Sequence, residues 1–380
     1  MRPLVDRTVT GLCWVGRAAA GAGAASLALQ IFRAAHKLSP RHTIALRDLA
    51  WGLHETGDLD AAIACYKDLL ELSPSFVEGR GELGFIFASL ERYPEAIEQF
   101  QRALDYAPRD PRARTGLAAM LMCINHHAEA IPLCEELVQD DPADAVAWGF
   151  LARARAEAGQ WEDALTAYDT AQRLQSDPLI AAEQVSVLME LARYVDAEAV
   201  LKTALTTHPG DQALHVLLAS AFLEQQRHLD AERVLREVLR EDPVNAPARH
   251  ALATLLAATA RASEAAAIGD GLLADFPEDP TAHATAGLVA LKSGRWRDAL
   301  TAFENAADIE VRRPPSGMAK LNLHAFMAGR ATALKGLGRH ADAQALVTAI
   351  AERDASFFDR HPEYAELTRM RELDDVPPTG

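Results

Sequence analysis

The chain has 380 residues, with 38 basic against 54 acidic side chains and a formal charge of −16. About a fifth of it is alanine and only 6% is aromatic, which favours helix throughout and excludes a strand-rich fold. No long basic run offsets the acidic surface, so phosphate backbones are repelled and nucleic-acid binding is disfavoured. Cys13, Cys65, Cys123 and Cys134 are too few for a disulfide framework and contain no CxxC, which fits a reducing cytoplasm.

In chain order, residues 8–32 are weakly apolar, rich in Gly and Ala, and interrupted by Arg17. An export signal needs a denser apolar core and a small-residue cleavage site, so a helical cap is the preferred reading here. Membrane or periplasmic placement through residues 1–32 stays as the alternative. Beyond this segment a clock begins. Pro40, Pro74, Pro108 and Pro142 are each 34 apart, and Pro209, Pro243 and Pro277 resume the spacing. The interval between the two runs is one residue short of two periods, and Pro178 lies inside it.

Other residues keep the same time. Eight before a clock proline stands a filler: Phe32, Tyr66, Phe100, Cys134, Leu201 or Leu235. Four earlier comes Ala28, Ala62, Ala96, Ala130, Ala197, Ala231 or Ala265. A first helix upstream carries Leu49, Leu83, Leu117, Leu151, Leu218 and Leu252, and the turn inside the unit shows Gly57, Gly159, Gly294 and Gly338. Alanine admits close helix approach, the filler closes the gap, glycine ends the first helix and proline stops the second.

This pattern resembles the tetratricopeptide repeat, a 34-residue helix–turn–helix unit with a W-x2-L-G-x2-Y…A-x3-F…P signature. Residues 77–110 match it best, through Leu83, Gly84, Phe87, Ala96, Phe100, Ala103 and Pro108. The resemblance implies an all-α, right-handed superhelical solenoid of nine to ten helix pairs. Residues 1–42 are expected to form a degenerate N-terminal repeat or cap and 43–311 eight units starting at Thr43, Val77, Pro111, Ala145, Pro178, Gln212, Ala246 and Pro280. An inserted loop and helix start at 312–323, a ninth shifted unit at 324–356, and a capping helix with a disordered tail at 357–380 complete the chain. Phe357, Phe358, Tyr364, Leu367 and Met370 are the residues expected to close its end. Gln184 and Arg330 stand where Leu is usual, and Gly269 where the aromatic filler is.

The search for chemistry points away from an enzyme. Gly21-Ala22-Gly23 lacks a preceding strand and the third glycine of a dinucleotide loop, so no cofactor is expected. Cys123, His126, His127 and Cys134 include a filler position, and His215, His250 and His283 lie a repeat or more apart, so no metal is expected either. Glu95, Glu98, Glu129, Glu162 and Asp163 fall on second helices and are read as solubilising.

In the family the first helices line a concave face. The inward positions here, by that resemblance, include Arg47, Trp51, His54, Phe85, Arg112, Met122, Val146, Arg153, Met189, Val216 and Leu223, together with Leu179, His250, Leu288 and Leu291, and Glu78 on the acidic side. The clamp by which some members hold acidic chaperone tails is not reproduced: Trp51 replaces an Asn, and Glu82, Arg112 and Gly116 also depart from it. The groove is therefore expected to be apolar, taking a peptide or helix of a partner protein, with arginines pairing acidic residues of the guest. The function that follows is a non-catalytic, cytoplasmic protein-interaction scaffold. Self-assembly, or an accessory role in an envelope or secretion complex, stands as the alternative.

Overall fold

The computed structural model describes residues 2–312, 317–354, 357–360, 364, 366 and 367. Among them the chain forms twenty-one helices and no strand. The first pairs are α1 (Arg2–Gly21) with α2 (Ala25–Leu38), α3 (Thr43–Glu55) with α4 (Leu59–Leu72), and α5 (Val77–Ser89) with α6 (Tyr93–Tyr106). Next come α7 (Pro111–Cys123), α8 (His127–Asp140), α9 (Ala145–Glu157), α10 (Trp161–Leu174), α11 (Pro178–Glu190) and α12 (Tyr194–Thr207). Then follow α13 (Gln212–Glu224), α14 (His228–Glu241), α15 (Ala246–Ala258), α16 (Ala262–Asp275), α17 (Pro280–Lys292) and α18 (Trp296–Arg312). The last are α19 (Gly317–Gly336), α20 (His340–Arg353) and the short α21 (Phe357–Arg360). The chain divides into two compact units, Met1–Val187 and Leu188–Gly380.

Three local devices repeat along both units. The first is a left-handed residue between the helices of each pair. Gly23, Gly57, Glu91, Asn125, Gly159, Ala192, Gln226, Ala260, Gly294 and Gly338 all have φ between 54° and 81°. This conformation lets a following N–H reach back, as Asp58 N–H does to the Leu53 carbonyl at 2.9 Å. The second device is an Arg before the second helix that grips an acid three residues on. Arg92–Glu95, Arg193–Asp196, Arg227–Asp230, Arg261–Glu264 and Arg339–Asp342 all pair at 2.7 Å. Glu95 therefore does more than solubilise: it fixes the turn and places negative charge at a helix start, and Arg92 lowers its pKa.

The third device joins consecutive pairs. Six residues after a clock proline, a side chain donates to that proline's carbonyl. Arg80 does so to Pro74 at 2.8 Å, Arg114 to Pro108 at 3.0 Å, Trp148 to Pro142 at 3.0 Å, Arg249 to Pro243 at 2.6 Å and His283 to Pro277 at 2.9 Å. His215 instead donates from Nδ1 to the Asp211 carbonyl at 2.9 Å. Two of the three recurring histidines are thus turn donors. Asp110, Asp144, Asp211, Asn245 and Asp279 cap the first helices from the same turns.

The fillers lie in the layer between pairs. Phe32, Tyr66, Phe100, Tyr168, Phe303 and Phe357 are among the largest fully buried side chains. Phe100 lies against the bare backbone of two glycines: a Cβ added at Gly84 or Gly116 would come within 2.8 or 2.5 Å of its ring. At Gly269 the filler is absent, the nearest atom to a built Cβ is Ala286 Cα at 3.8 Å, and a cavity of about 340 Å³ opens beside it. Gln184 in a leucine position is buried and donates to Asp169 at 2.6 Å, while Arg330 pairs with Glu304 at 3.5 Å.

At the N-terminus α1 and α2 form a helix pair. Val9 and Cys13 are buried against Ala35 and Ala45, and burial followed by the nearby Asp48 pushes the Cys13 thiol up to about 11. No helix among the described residues is long and apolar enough to cross a membrane. Toward the C-terminus Arg312 ends α18 and Gly317 opens α19, so residues 313–316 of the expected loop lie outside the described residues. Residues 317–323, expected to contain loop and helix start, are helical. Phe357, Phe358, Tyr364 and Leu367 pack on Met327, Leu334, Val347 and Ile350. Of the capping helix and tail expected over 357–380, the described part is α21 with Tyr364 and Leu367 in the same core cluster, and Met370 and residues 374–380 lie outside the described residues.

Five of the ten left-handed positions hold residues with a Cβ, which that conformation penalises. Ala260→Gly is expected to raise stability by about 0.5–1 kcal/mol, and Gly57→Ala to lower it by a similar amount. The midpoints of denaturant unfolding check both.

Candidate functional site

In the first unit a cavity of about 540 Å³ opens along the first helices. Arg17 of α1, Asp48 and Trp51 of α3, Tyr66 of α4, Phe76, Glu78 and Glu82 at and within α5, and Arg112 of α7 contribute to its wall. Local sequence explains the arrangement. The clock places Arg47, Trp51 and Arg112 on first helices, and Tyr66 is a filler whose ring reaches the cavity from below. Phe76 precedes α5 and lies over Gly79, where an added Cβ would fall 2.4 Å from its ring. Only glycine there lets the phenyl ring settle against the helix. Trp51 meets Phe32 edge-on at 6.3 Å and is 37% exposed.

The polar side of this wall is mostly spoken for. Asp48 is only 4% exposed and accepts from Arg47 Nε at 3.0 Å and from its terminal nitrogen at 2.7 Å, both on Oδ1. Its Oδ2 pairs with Arg17 Nε at 3.6 Å, and the Cys13 thiol is a further, weak donor to the carboxylate. Arg112 donates to Glu82 at 2.9 Å and lies 5.6 Å from the Phe85 ring centre. Burial, then Glu82, pushes the Tyr66 phenol well above its ordinary value, so it stays protonated.

A related arrangement recurs three repeats later. Tyr168, again a buried filler, approaches Glu183 at 3.4 Å, and Glu183 also pairs with Arg153. Arg47, Arg112 and Arg153 thus each hold a carboxylate of this chain.

The other expected groove residues separate into two groups. Val146 and Leu179 are exposed, whereas His54, Phe85, Met122, Met189, Val216 and Leu223 are half-buried by packing on neighbours. Phe85 stacks edge-on against Phe100 at 5.0 Å. Trp51, Arg47 and Arg112 are brought together at the cavity, while Phe85 stands behind Arg112. Arg17, Asp48, Tyr66 and Phe76 were missed as site residues. The one signal that could have found Asp48 is a carboxylate one step before a leucine that faces the core.

The second unit has its own first-helix cavity, of about 310 Å³, lined by Val216, Ser220, His250, Asp279 and Thr285 among others. Thr285 Oγ1 gives its single proton to the Thr281 carbonyl at 2.7 Å, so the His250 Nδ1 against it must be the donor. Burial lowers the pKa of His250 and keeps it neutral, which leaves Nε2 as an acceptor. Elsewhere Cys134 is a buried filler with its thiol pushed up to about 12, Cys123 is exposed, and His126 pairs with Glu129 at 2.8 Å. Among the described residues no group of three His, Cys, Asp or Glu is placed to hold a metal.

Burial separates the arginines whose loss is felt in the core from those paired at the surface. Arg114 is 6% exposed and holds Asp140 at 2.7 Å and Glu136 at 3.0 Å as well as Pro108, whereas Arg112 is 62% exposed. Arg114→Gln is expected to cost about 1–2 kcal/mol, because the half-buried bond to the Pro108 carbonyl is lost, while Asp140 and Glu136 stay solvated. Arg112→Gln should stay within about 1 kcal/mol. Denaturant melts of the two variants compare them directly.

Models of the tetratricopeptide repeat match residues 16–75, 86–145 and 182–246, and again 125–182 and 222–289. Tetratricopeptide repeat protein 21B of Xenopus laevis is 24% identical over 153 residues, covering 40% of this chain and 12% of that protein. Small glutamine-rich tetratricopeptide repeat-containing protein 2 of Mycosarcoma maydis is 28% identical over 92 residues, 24% of this chain and 26% of that one. The chain therefore spans only a small part of the curated relatives it matches. Two solved structures share the fold at 13% identity. A tetratricopeptide repeat protein of Parabacteroides merdae has a TM-score of 0.54 over 75% of this chain and 98% of that one, and yeast Tom70 has 0.50 over 98% and 93%. With the helix pairs, their phase and these matches in agreement, the chain belongs to the tetratricopeptide repeat family.

Proposed function

We propose that this protein is a non-catalytic interaction scaffold that takes an extended or helical segment of a partner protein along its first helices. The observation that carries the reading is the cavity of about 540 Å³ walled by Trp51, Tyr66 and Phe76, a size within the range of ligand sites. Aromatic anchors on first helices suit recognition of a peptide with apolar side chains. Half-buried Phe85, Met122, Met189 and Val216 extend the apolar surface at intervals along the repeats of their own units. The inward-facing tyrosines, carboxylates and arginines are tied to one another, an arrangement that holds shape rather than activating a nucleophile or base. Placement in the cytoplasm belongs to the same reading, supported by four free thiols in a chain with no disulfide framework.

The test is capture of partners from native lysate by wild type and by a Trp51→Glu/Phe85→Glu double variant of equal helicity. The reading expects a partner held by wild type and lost by the variant. An identical set on both places binding elsewhere, and self-association alone turns the choice toward assembly.

A further inference from the structure

The first helix pair carries a charge unlike the rest of the chain. Residues 1–42 hold six basic side chains against the single Asp6, whereas the remaining residues hold 32 against 53. Arg17 of α1 pairs with Asp48, but Arg7, Arg33, Lys37 and Arg41 are exposed and make no ion pair among the described residues. Packed helices stand ~8–10 Å apart, close to the Debye length of about 8 Å at physiological ionic strength. The cations of α1 and α2 therefore act together, while more distant acidic charge is screened from them. On α1 itself Val9, Cys13 and Gly16 are buried. Arg7, Gly11, Trp14 and Ala18 recur at helical spacing on the opposite side, with Val15 beside them, and all five are exposed. At 69%, Trp14 is the most exposed aromatic side chain among the described residues. In the next unit the same phase is covered: Asp48 and Leu49, 34 residues on from Trp14 and Val15, are buried.

We infer that this face of α1 docks on an anionic lipid surface, with the helix lying in the interface. An indole ring settles at the level of the headgroups, and the basic side chains around it are drawn to acidic lipids. A second copy of the chain is a poorer match. Its C-terminal end is covered by Phe357 and Tyr364, and residues 313–380 hold nine basic and nine acidic side chains, so no net charge draws that end to α1. The cavity at Trp51 touches α1 only toward its C-terminal end, through Arg17, Ala20 and Gly21. Docking through Trp14 and Arg7 thus leaves that cavity free and goes beyond the scaffold reading: it gives the scaffold a place to stand.

The experiment sediments the intact chain with vesicles of phosphatidylcholine alone and of an equal mixture of phosphatidylcholine and phosphatidylserine. Wild type is expected to bind the mixed vesicles and not the neutral ones, and raised salt should release it. Arg7→Gln/Arg33→Gln/Lys37→Gln should weaken partitioning at least about tenfold. In mixed vesicles with brominated acyl chains, part of the tryptophan emission of wild type should be quenched, and that part should be lost in Trp14→Ser. The substituted side chains are all exposed, so the variants keep the fold, which circular dichroism checks. Equal binding to both vesicle types, binding that survives the charge variant, or quenching that survives Trp14→Ser overturns the inference. Failure to bind any vesicle overturns it as well. A mass that rises with concentration in wild type but not in Trp14→Ser would then give the face to a second copy, and capture of polyglutamate would give it to an acidic protein. None of these results bears on the cavity at Trp51, so the scaffold reading stands or falls separately.

Discussion

The structure depends on how closely two helix pairs can approach. Outside the Gly269 layer, one filler stands between pairs, and the backbone opposite the largest of them has to make room. Phe100 between Gly84 and Gly116, and Phe303 between Gly287 and Gly329, show the requirement most plainly, because any Cβ would overlap the ring. Every other repeated feature sets the position of that contact. The left-handed residue sets the angle within a pair, the arginine–acid grip sets the start of the second helix, and the side chain on the proline carbonyl sets the step to the next pair. Each repeat buries its core on its neighbours, so these contacts stabilise a surface as well as a stack.

That surface owes its character to internal pairing. Arginines on first helices look, in isolation, like a basic groove for acidic guests. In the fold they neutralise Asp48, Glu82 and Glu183, and the aromatic rings between these pairs are left as the apolar part of the wall. The charges of the wall therefore balance, with Arg17, Arg47 and Arg112 against Asp48, Glu78 and Glu82. His250 repeats the lesson in the second unit, where a bond to Thr285 and burial make a basic residue a neutral acceptor.

Much of the fold was legible in the sequence because a periodic chain repeats its own evidence. The starts of α3, α5, α7, α9, α11, α13, α15 and α17 fall on the residues that spacing names. The left-handed turns were partly legible: glycine announces five of them and Asn125 is a residue that tolerates the conformation, but Glu91, Ala192, Gln226 and Ala260 adopt it with nothing in their chemistry to signal it. The donors at Arg80, Arg114, Trp148, Arg249 and His283 escaped notice because three residue types do one job. At the site, Trp51, Arg47 and Arg112 followed from helix phase. Asp48, Phe76 and the part played by α1 did not, because they depend on which side chains meet across a layer, and one-dimensional spacing carries no record of that.

The central claim is that a partner segment lies on the first helices around Trp51. The direct test is hydrogen exchange of the intact chain, free and saturated with the partner segment. The account predicts slowed exchange in α3, at the start of α5 and at the end of α1, with the second-helix faces of α6 and α8 unchanged. Protection confined to α6 and α8, with none at α1, α3 or α5, would contradict it.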